Sequence, residues 1–405
     1  MSIYTGGNLK VESAAESEGS IVVDGNLTNI KGLASLAGKA MWGMGFQPPA
    51  NATMLAIGGN LTGEYRTFAG GNMRIGGSDV KHLAQITTRE NLTKLGITAP
   101  EWLNAYTYKN QGPVSVKTNL GKTAALKVDK DGDGTFETDY NNYVSKTLIP
   151  LSDSLKALPT TGTVTFQTVT GVPNYGWPVA NNSSWLNPDD HRPNPYIKAT
   201  IPTEGLIRFR GDGQQHRQVF TLDRNLMQSY GKRQSFPGGW SLAFDNIPDG
   251  QAIIINVTGQ SNITWWSGWR VWVNGVDYST AVNKRDASLS RFRNIATRIL
   301  WNFSNTSYLR LNGAPNALIR RNDQYDGKGS WTDEGDHPNG FDGALFPGSI
   351  LLPRGNMYDV VDTNGRLLIG KDLTLNIWEH HNAPWIGFDE PQCFTVSGKT
   401  TASLS

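Results

Sequence analysis

The sequence predicts a mainly β protein, and more narrowly an irregular β-solenoid of the β-helix kind with a small α-helical insertion. Three observations lead to this fold class. The 405-residue chain has 18% charged residues, 45 glycines and 13 tryptophans, a composition that favours turn-rich β-structure over helices. A short word built on Gly-Asn recurs in its first part. Helical spacing of apolar residues interrupts the β-rich pattern between residues 79 and 160.

The recurring word is clearest in "AIGGNLTGEYRTFAGGNMRIGG", residues 56–77. The pairs are Gly7-Asn8, Gly25-Asn26, Gly59-Asn60 and Gly71-Asn72, and an altered copy, "LIGKDLTLN", spans 368–376. The apolar residues on either side of each pair indicate short strands that meet at a corner. Glycine would supply a positive φ at the corner, and asparagine tolerates that geometry. Stacked corners turn a β-solenoid, and their irregular spacing predicts insertions between coils.

These patterns divide the chain into three segments. Residues 1–78 form a first β-solenoid segment, 79–160 a helical insertion with an Asp-rich loop, and 161–405 a second β-solenoid segment that packs with the first into one domain. Within the insertion, we predict helices in 79–110 and in 140–159, where Leu148, Leu151, Leu155 and Leu158 lie near one stripe. From about residue 205, short apolar runs such as "AIIINVTG" predict strands.

Composition also excludes several classes of function. The formal net charge of +2 is close to balance and no Lys/Arg cluster alternates with aromatic residues, so nucleic acid is not an expected partner. No apolar run reaches the roughly 18 residues that a membrane-spanning helix needs. A single cysteine, Cys393, rules out a disulfide framework within the chain. The residues that open the chain do not read as a signal peptide.

An ordered set of words gives the chain a family resemblance. "EGSIVVDGNLT", "LAIGGNLTGEYRTFAGGNMRIGG", "LSDSLKALPTTGTVT", "SLAFDNIPDGQAIIINVTGQ", "RILWNFSNTSYLRLNG", "PGSILLPRGNMYDVVDTNGRLLIGKDLTLN" and "WEHHNAPWIGF" follow one another over residues 4–388. This series resembles the choice-of-anchor A domain of bacterial surface proteins. The resemblance implies an adhesin-like module on a β-solenoid platform, located at the cell surface, that presents loops to a host or extracellular-matrix protein or glycan. It implies no catalytic residues.

The Asp-rich loop "DKDGDGTFETDY", residues 129–140, predicts a calcium site. Alternate carboxylates followed by glycine resemble the first half of an EF-hand loop, in which they converge on Ca²⁺. Five carboxylates within eleven residues also repel one another unless a cation lies among them. Since Tyr140 stands where a bidentate glutamate is usual, we expect weak binding, and the alternative is a solvated turn in a hairpin. The candidate ligands are Asp129, Asp131, Asp133, Thr135, Glu137 and Asp139.

The segment "NITWWSGWRVWVNG", residues 262–275, holds four tryptophans and predicts a ligand-binding surface. We interpret it as a hairpin that turns at Ser267-Gly268, with aromatic side chains on both faces. Such aromatic platforms stack on sugar rings or bury into partner proteins, and an arginine adds a cation–π contact. The alternative is that neighbouring chain covers both faces. The candidate residues are Trp265, Trp266, Trp269, Arg270 and Trp272.

Few residues point to catalysis, so we expect no enzymatic activity. In "WEHHN", residues 378–382, Glu379 and His381 share a face of a strand and predict an ordinary buried carboxylate–imidazole pair, whereas His380 points the other way. The acids of "DEGDHPNGFDG", residues 333–343, predict a solvated loop. The motifs of the common hydrolase, nucleotide-binding and zinc sites are absent. A carbohydrate-active enzyme on a β-helical fold and a structural subunit of a surface fibre or layer stay as alternatives.

Overall fold

The computed structural model describes residues 1–12, 15–29, 34–38, 49, 51–63, 67–68, 71–80, 115–169, 204–230, 239–277, 287–313, 345–376, 378–385, 393–395 and 401–403. These described residues are mainly β, with 48% in strands and 14% in helices. Most of the helix predicted in 79–110 and the loops 171–196 and 333–343 lie outside these ranges. The predicted domain boundaries stay predictions.

The N-terminal part of the chain consists of short strands. They are β1 (Ile3–Thr5), β2 (Leu9–Val11), β3 (Ala15–Glu18), β4 (Ile21–Val23), β5 (Leu27–Asn29), β6 (Ala34–Gly38), β7 (Thr53–Ile57), β8 (Leu61–Gly63), β9 (Thr67–Phe68) and β10 (Asn72–Ile75). The next part mixes both kinds of element: β11 (Ser115–Lys117), α1 (Lys122–Ala125), β12 (Lys127–Val128), β13 (Thr138–Asp139), a π-helical turn (Val144–Leu148), α2 (Ile149–Lys156) and β14 (Thr163–Val169).

Strands dominate the rest of the chain, as the apolar runs predict. The strands are β15 (Glu204–Arg210), β16 (Gln218–Asp223), β17 (Trp240–Asp245), β18 (Ile253–Thr258), β19 (Asn262–Val273), β20 (Val276–Asp277), β21 (Ile299–Asn302), β22 (Tyr308–Asn312), β23 (Leu345–Pro347), β24 (Ser349–Leu352), β25 (Asn356–Asp359), β26 (Asp362–Asn364), β27 (Leu367–Ile369), β28 (Leu373–Leu375), β29 (Trp378–His381), β30 (Cys393–Thr395) and β31 (Thr401–Ser403). Two helices lie among them, α3 (Arg224–Tyr230) after β16 and α4 (Ala287–Arg298) after β20.

Three open sheets contain most of these strands, and pairing within them is parallel apart from β14 and β20. In the described part of the chain, sheet 1 has the order β11-β10-β7-β4-β1-β27-β24-β21-β18-β16. Sheet 2 has the order β14-β15-β17-β19-β22-β25-β28-β2-β5-β8, with β20 paired to β19, and sheet 3 the order β23-β26-β29-β3-β6-β9. The remaining strands form the small antiparallel pairs β12–β13 and β30–β31.

The strand order is not the chain order, because the N-terminus lies in the middle of the sheets. Strand β1 pairs with β4 on one side and with β27 on the other, so Ile3 stands between Ile21 and Leu367. From β1 to β9 the chain visits sheets 1, 2 and 3 in turn, and β23 to β29 follow sheets 3, 1 and 2 in the same rotation. The first three strands of the chain therefore pair with β27, β28 and β29, one pair in each sheet.

Three of the four Gly-Asn words line up across neighbouring strands. Backbone N–H groups of Asn26, Asn60 and Ser78 donate to the Oδ1 atoms of Asn8, Asn26 and Asn60 at 2.9, 2.8 and 2.9 Å. Asp372 of the altered copy extends the ladder, since it accepts from the Asn8 N–H at 2.7 Å. Gly77-Ser78 takes the place predicted for Gly71-Asn72, which lies at the start of β10 instead.

The reason for glycine in these words differs from the predicted one. Gly7, Gly25 and Gly59 do not have positive φ, whereas Gly71, outside the ladder, has φ 59°. A Cβ atom on Gly59 would lie 2.2 Å from Oδ1 of Asn26, and Gly7 and Gly25 face comparable contacts. Glycine is therefore required because the asparagine or aspartate of the neighbouring strand fills the space where a side chain would begin.

The predicted helix in 140–159 is confirmed, and it covers the outer face of sheet 1. Leu148 and Leu155 are buried in a cluster with Val22, Ile254 and Leu351 of that sheet. A buried polar network adds to the contact, because Asn302 donates to the Ser152 carbonyl at 2.9 Å and to Oδ1 of Asn256 at 2.8 Å. The larger core lies among the three sheets and holds their inward-facing aliphatic and aromatic side chains.

Candidate binding surfaces

The tryptophan-rich segment forms one long strand, so the predicted hairpin is wrong. Strand β19 runs without a turn from Asn262 to Val273. Its first half pairs in parallel with β22, from Asn262–Tyr308 to Trp266–Asn312, and its second half with β17. A register irregularity near Ser267-Gly268 takes the place of the turn, and both residues are buried. At this point β19 exchanges its partner β22 for β17 and continues in the same direction, so the chain makes no hairpin turn.

The strand divides its tryptophans between the core and the surface. Trp265 is 1% exposed and packs edge-on against Trp301 and Phe346, with ring centroids 5.4 and 5.8 Å away. It therefore offers no surface to a ligand, contrary to its place among the predicted binding residues. Trp266 and Trp272 are half-buried. The side chains of Trp269 and Arg270 lie outside the described part of the structure.

The outward face of sheet 2 presents a continuous row of half-buried side chains that the sequence does not reveal. We call it the outer row: Thr264, Arg310, Tyr358, Thr374, Lys10, Thr28 and Thr62, which are partners in successive strand pairs. Trp266 lies two residues along β19 from the first member and on the same face. Lys10 and Thr374, which are direct partners in the row, are 364 positions apart in the chain, so no local pattern predicts their alignment.

Tyr358 lies at the centre of the contacts in the outer row. The guanidinium carbon of Arg310 is 4.4 Å from the centroid of the Tyr358 ring. Its hydroxyl donates to Oε2 of Glu12 at 2.9 Å and accepts from Nδ2 of Asn376 at 2.6 Å. Lys10 donates to the same glutamate at 2.6 Å. These contacts fix the tyrosine ring in place.

Charge pairing also sets the protonation of this surface. The hydrogen bond from Lys10 is the main reason that the pKa of Glu12 is lowered, and burial is the main reason that the pKa of Tyr358 is raised. At neutral pH the surface therefore presents an ionised carboxylate, a neutral phenol and two cations. It offers hydrogen-bond donors and acceptors beside an aromatic face.

The Asp-rich loop brings together three of its six predicted ligands. One carboxylate oxygen each from Asp129, Asp131 and Glu137 lie within 4.8 Å of one another. Asp129 is buried, and its two oxygens accept from the N–H groups of Gly132 and Gly134 at 2.6 and 2.8 Å. The other two residues of the trio are exposed. Calcium binding stays a prediction.

The other three predicted ligands make local contacts. Asp133 accepts from the N–H of Thr135 at 2.7 Å, and Asp139 accepts from the N–H and the side-chain amide of Asn141 at 2.8 and 2.7 Å. These bonds to Asn141 lower the pKa of Asp139. Asp133 and Asp139 are thus not part of the converging trio.

Glu379 and His381 are in contact as predicted, but only the histidine is buried, since the Glu379 side chain is 49% exposed. Nε2 of His381 lies 3.3 Å from Oε2 of Glu379, and its Nδ1 lies 3.4 Å from Glu18 of strand β3. The carboxylate of Glu18 is the main cause that raises the pKa of this histidine against the effect of its burial. His380 faces the other way, between the hydroxyls of Ser2 and Thr363 at 2.8 and 2.7 Å. His381 thus links β29 to β3, and His380 links β29 to β26, within sheet 3.

Comparison with known proteins identifies the family. A family model described as "Putative Ice-binding-like adhesive domain" matches residues 2–327, which is most of the chain. The chain belongs to this family. No curated protein and no solved structure matches it.

Membership in the ice-binding-like adhesive family supports the adhesin-like part of the expectation, but not choice-of-anchor A specifically. An adhesive domain of this family indicates a surface or extracellular protein that binds external ligands. Among the helices that the structure describes, none is long and apolar enough to cross a membrane.

Proposed function

We propose that the protein is an adhesin-like module of a bacterial cell-surface protein and that it binds host or matrix glycans with the outer row of sheet 2. The observation that carries this proposal is the alignment of Trp266, Arg310 and Tyr358 on one face of neighbouring strands. Aromatic rings stack on the apolar faces of sugars, and the charged groups beside them bind hydroxyls. A matrix protein is the second ligand class that such a surface suits.

We further propose that the three sheets wind as an irregular β-solenoid and act as a rigid platform for this surface. Support comes from the strands, which visit the three sheets in a fixed rotation, and from the ladder of asparagines that joins the corners. A platform of this kind holds side chains from distant parts of the sequence in one register. A choice-of-anchor A architecture, with export to the cell surface, fits the same proposal.

An array of glycans and matrix proteins, probed with the whole chain with and without Ca²⁺, tests this function. For each bound ligand, we expect Tyr358→Ala and Trp266→Ala to weaken binding at least tenfold, because they remove aromatic surface. Tyr358→Phe keeps the ring and loses only the bonds to Glu12 and Asn376, so its effect should be smaller.

Phe136→Ala is the matched control, since Phe136 is 44% exposed but lies on the Asp-rich loop. Circular dichroism of each variant must match that of the parent chain. An array without any bound ligand, or binding that survives both alanine variants, contradicts the proposed surface. Release of sugar fragments from a bound glycan would instead favour the carbohydrate-active enzyme.

A further inference from the structure

A cavity of about 310 Å³ lies between the insertion and the place where β1 pairs with β27. Lys130, Tyr140 and Tyr143 of the insertion line it, together with Arg366, which directly precedes β27, and Asn382, which directly follows β29. Ligand pockets commonly measure about 300–1,000 Å³, so this cavity suits a single small ring. It is separate from the outer row of sheet 2.

Two basic side chains, Arg366 and Lys130, line the cavity. Nε of Arg366 is buried and has no hydrogen-bond partner among the described residues. Lys130 is exposed, and its ammonium group forms no ion pair within the described ranges. No Asp or Glu is among the described residues that line the cavity. Both acids that flank Lys130 in the sequence accept backbone hydrogen bonds: Asp129 from the N–H groups of Gly132 and Gly134, and Asp131 from the N–H of Asp133.

An arginine Nε–H that is buried without a partner is unfavourable, because it has lost water and gained no compensating hydrogen bond. Burial accordingly lowers the pKa of Arg366, while the nearby Tyr140 and Tyr143 act in the opposite direction. Arginine binds carboxylates with two parallel hydrogen bonds, and Nε is one of the donors that it uses. A bound carboxylate would therefore supply the missing partner.

The walls of the cavity are aromatic and hydroxylated. Tyr140 and Tyr143 pack edge to face, with ring centroids 5.0 Å apart, and behind this wall the ring of Tyr4 contacts both, at 6.1 and 4.9 Å. The phenol groups of Tyr140 and Tyr143 form no hydrogen bond with described residues. Such a wall offers both apolar surface and hydroxyls to a polar ring.

We propose that this cavity binds an acidic sugar, a uronate, whose carboxylate pairs with Arg366 and whose ring lies against the tyrosines. Lys130 lies at the same cavity and adds a second positive charge. A free inorganic anion would satisfy the charge but not use the aromatic wall. A neutral sugar would use the wall and leave the guanidinium unpaired.

Isothermal titration of the whole chain with sodium glucuronate, glucose and sodium sulfate tests the proposal. We expect glucuronate to bind at least tenfold more tightly than glucose, and sulfate not to displace it. Arg366→Gln should abolish glucuronate binding, and Lys130→Gln should weaken it several-fold. Arg354→Gln, at a half-buried arginine that pairs with Asp153 outside the cavity, should leave glucuronate binding unchanged.

The outcomes separate the alternatives. Equal binding of sulfate and glucuronate, or equal binding of glucose, overturns the uronate assignment, and so does the absence of glucuronate binding. If Arg366→Gln fails to fold, Lys130→Gln decides the question, because Lys130 is exposed; unchanged affinity in that variant overturns the proposal. Array binding through Tyr358 and Trp266 is a separate measurement, so either proposal can fail alone.

Discussion

Replacing Gly77 by alanine tests why glycine is required in the ladder. A Cβ atom at this position would lie 2.0 Å from Oδ1 of Asn60, and the closest backbone atom would be 3.1 Å away. The Asn60 side chain would have to move, which breaks its bonds to the N–H and the hydroxyl of Ser78 at 2.9 and 3.4 Å. The clash is therefore with a side chain that a second substitution can remove.

The expected free energies follow from these contacts. Asn60→Ala loses one good hydrogen bond at an exposed corner and should lower the free energy of unfolding by about 0.5–1.5 kcal/mol. Gly77→Ala forces overpacking as well and should cost about 1–3 kcal/mol. In the double variant the overpacking disappears. Alanine also lowers the conformational entropy of the unfolded chain, which raises the free energy of unfolding by about 0.4–1 kcal/mol. The double variant should thus be as stable as Asn60→Ala alone or up to about 1 kcal/mol more stable.

Urea unfolding followed by circular dichroism measures this cycle. We expect a coupling of about 1 kcal/mol or more in favour of the double variant. Gly250→Ala is the control, because Gly250 has φ 77° and open space around it, so its cost should not depend on Asn60. Single-variant costs that simply add in the double variant would refute the claim that the neighbouring asparagine imposes glycine.

Three further predictions concern protonation and metal binding. Burial raises the pKa of Asp359 to about 8, whereas an unfolded aspartate titrates near pH 4. The parent chain therefore loses stability as pH rises from about 4 to about 8, because only the folded state keeps the proton. Asp359→Asn does not titrate, so it should become more stable than the parent chain over this range. Burial lowers the pKa of His380 to about 3, whereas an unfolded histidine titrates near pH 6.5. Below about pH 6.5 the unfolded chain therefore binds a proton that the folded chain does not, and the parent chain loses stability. His380→Gln should reduce this loss of stability in acid. Millimolar CaCl₂ should raise the melting temperature of the parent chain but not of Glu137→Gln, with MgCl₂ as the control.

Urea unfolding across the pH range and thermal unfolding measure these effects. A difference in stability between Asp359→Asn and the parent chain that stays constant from pH 4 to pH 9 would contradict the aspartate prediction. The histidine prediction fails if both chains lose stability equally in acid. An equal thermal shift in Glu137→Gln and in the parent chain would show that the trio does not hold the ion.

The local pattern was sufficient to predict individual elements. Apolar runs locate strands such as β18 and β24, and the leucine spacing locates the helix between residues 144 and 156, because each depends on neighbours in the chain. The pair of Glu379 and His381 also follows from strand alternation alone. By contrast, the alternation around Trp265 could not show that β19 continues straight, since that depends on its partners β17 and β22.

The sequence alone therefore determined that the chain is mainly β, located several of its strands and the helix in 140–159, and marked three of the Gly-Asn pairs that align across neighbouring strands. Only the tertiary structure decided the strand order, the role of glycine, and which side chains meet at the outer row and around the Arg366 cavity. The physical reason is distance along the chain. Hydrophobic periodicity acts over a few residues, whereas pairing such as that of Ile3 with Leu367 brings together groups that no local pattern connects.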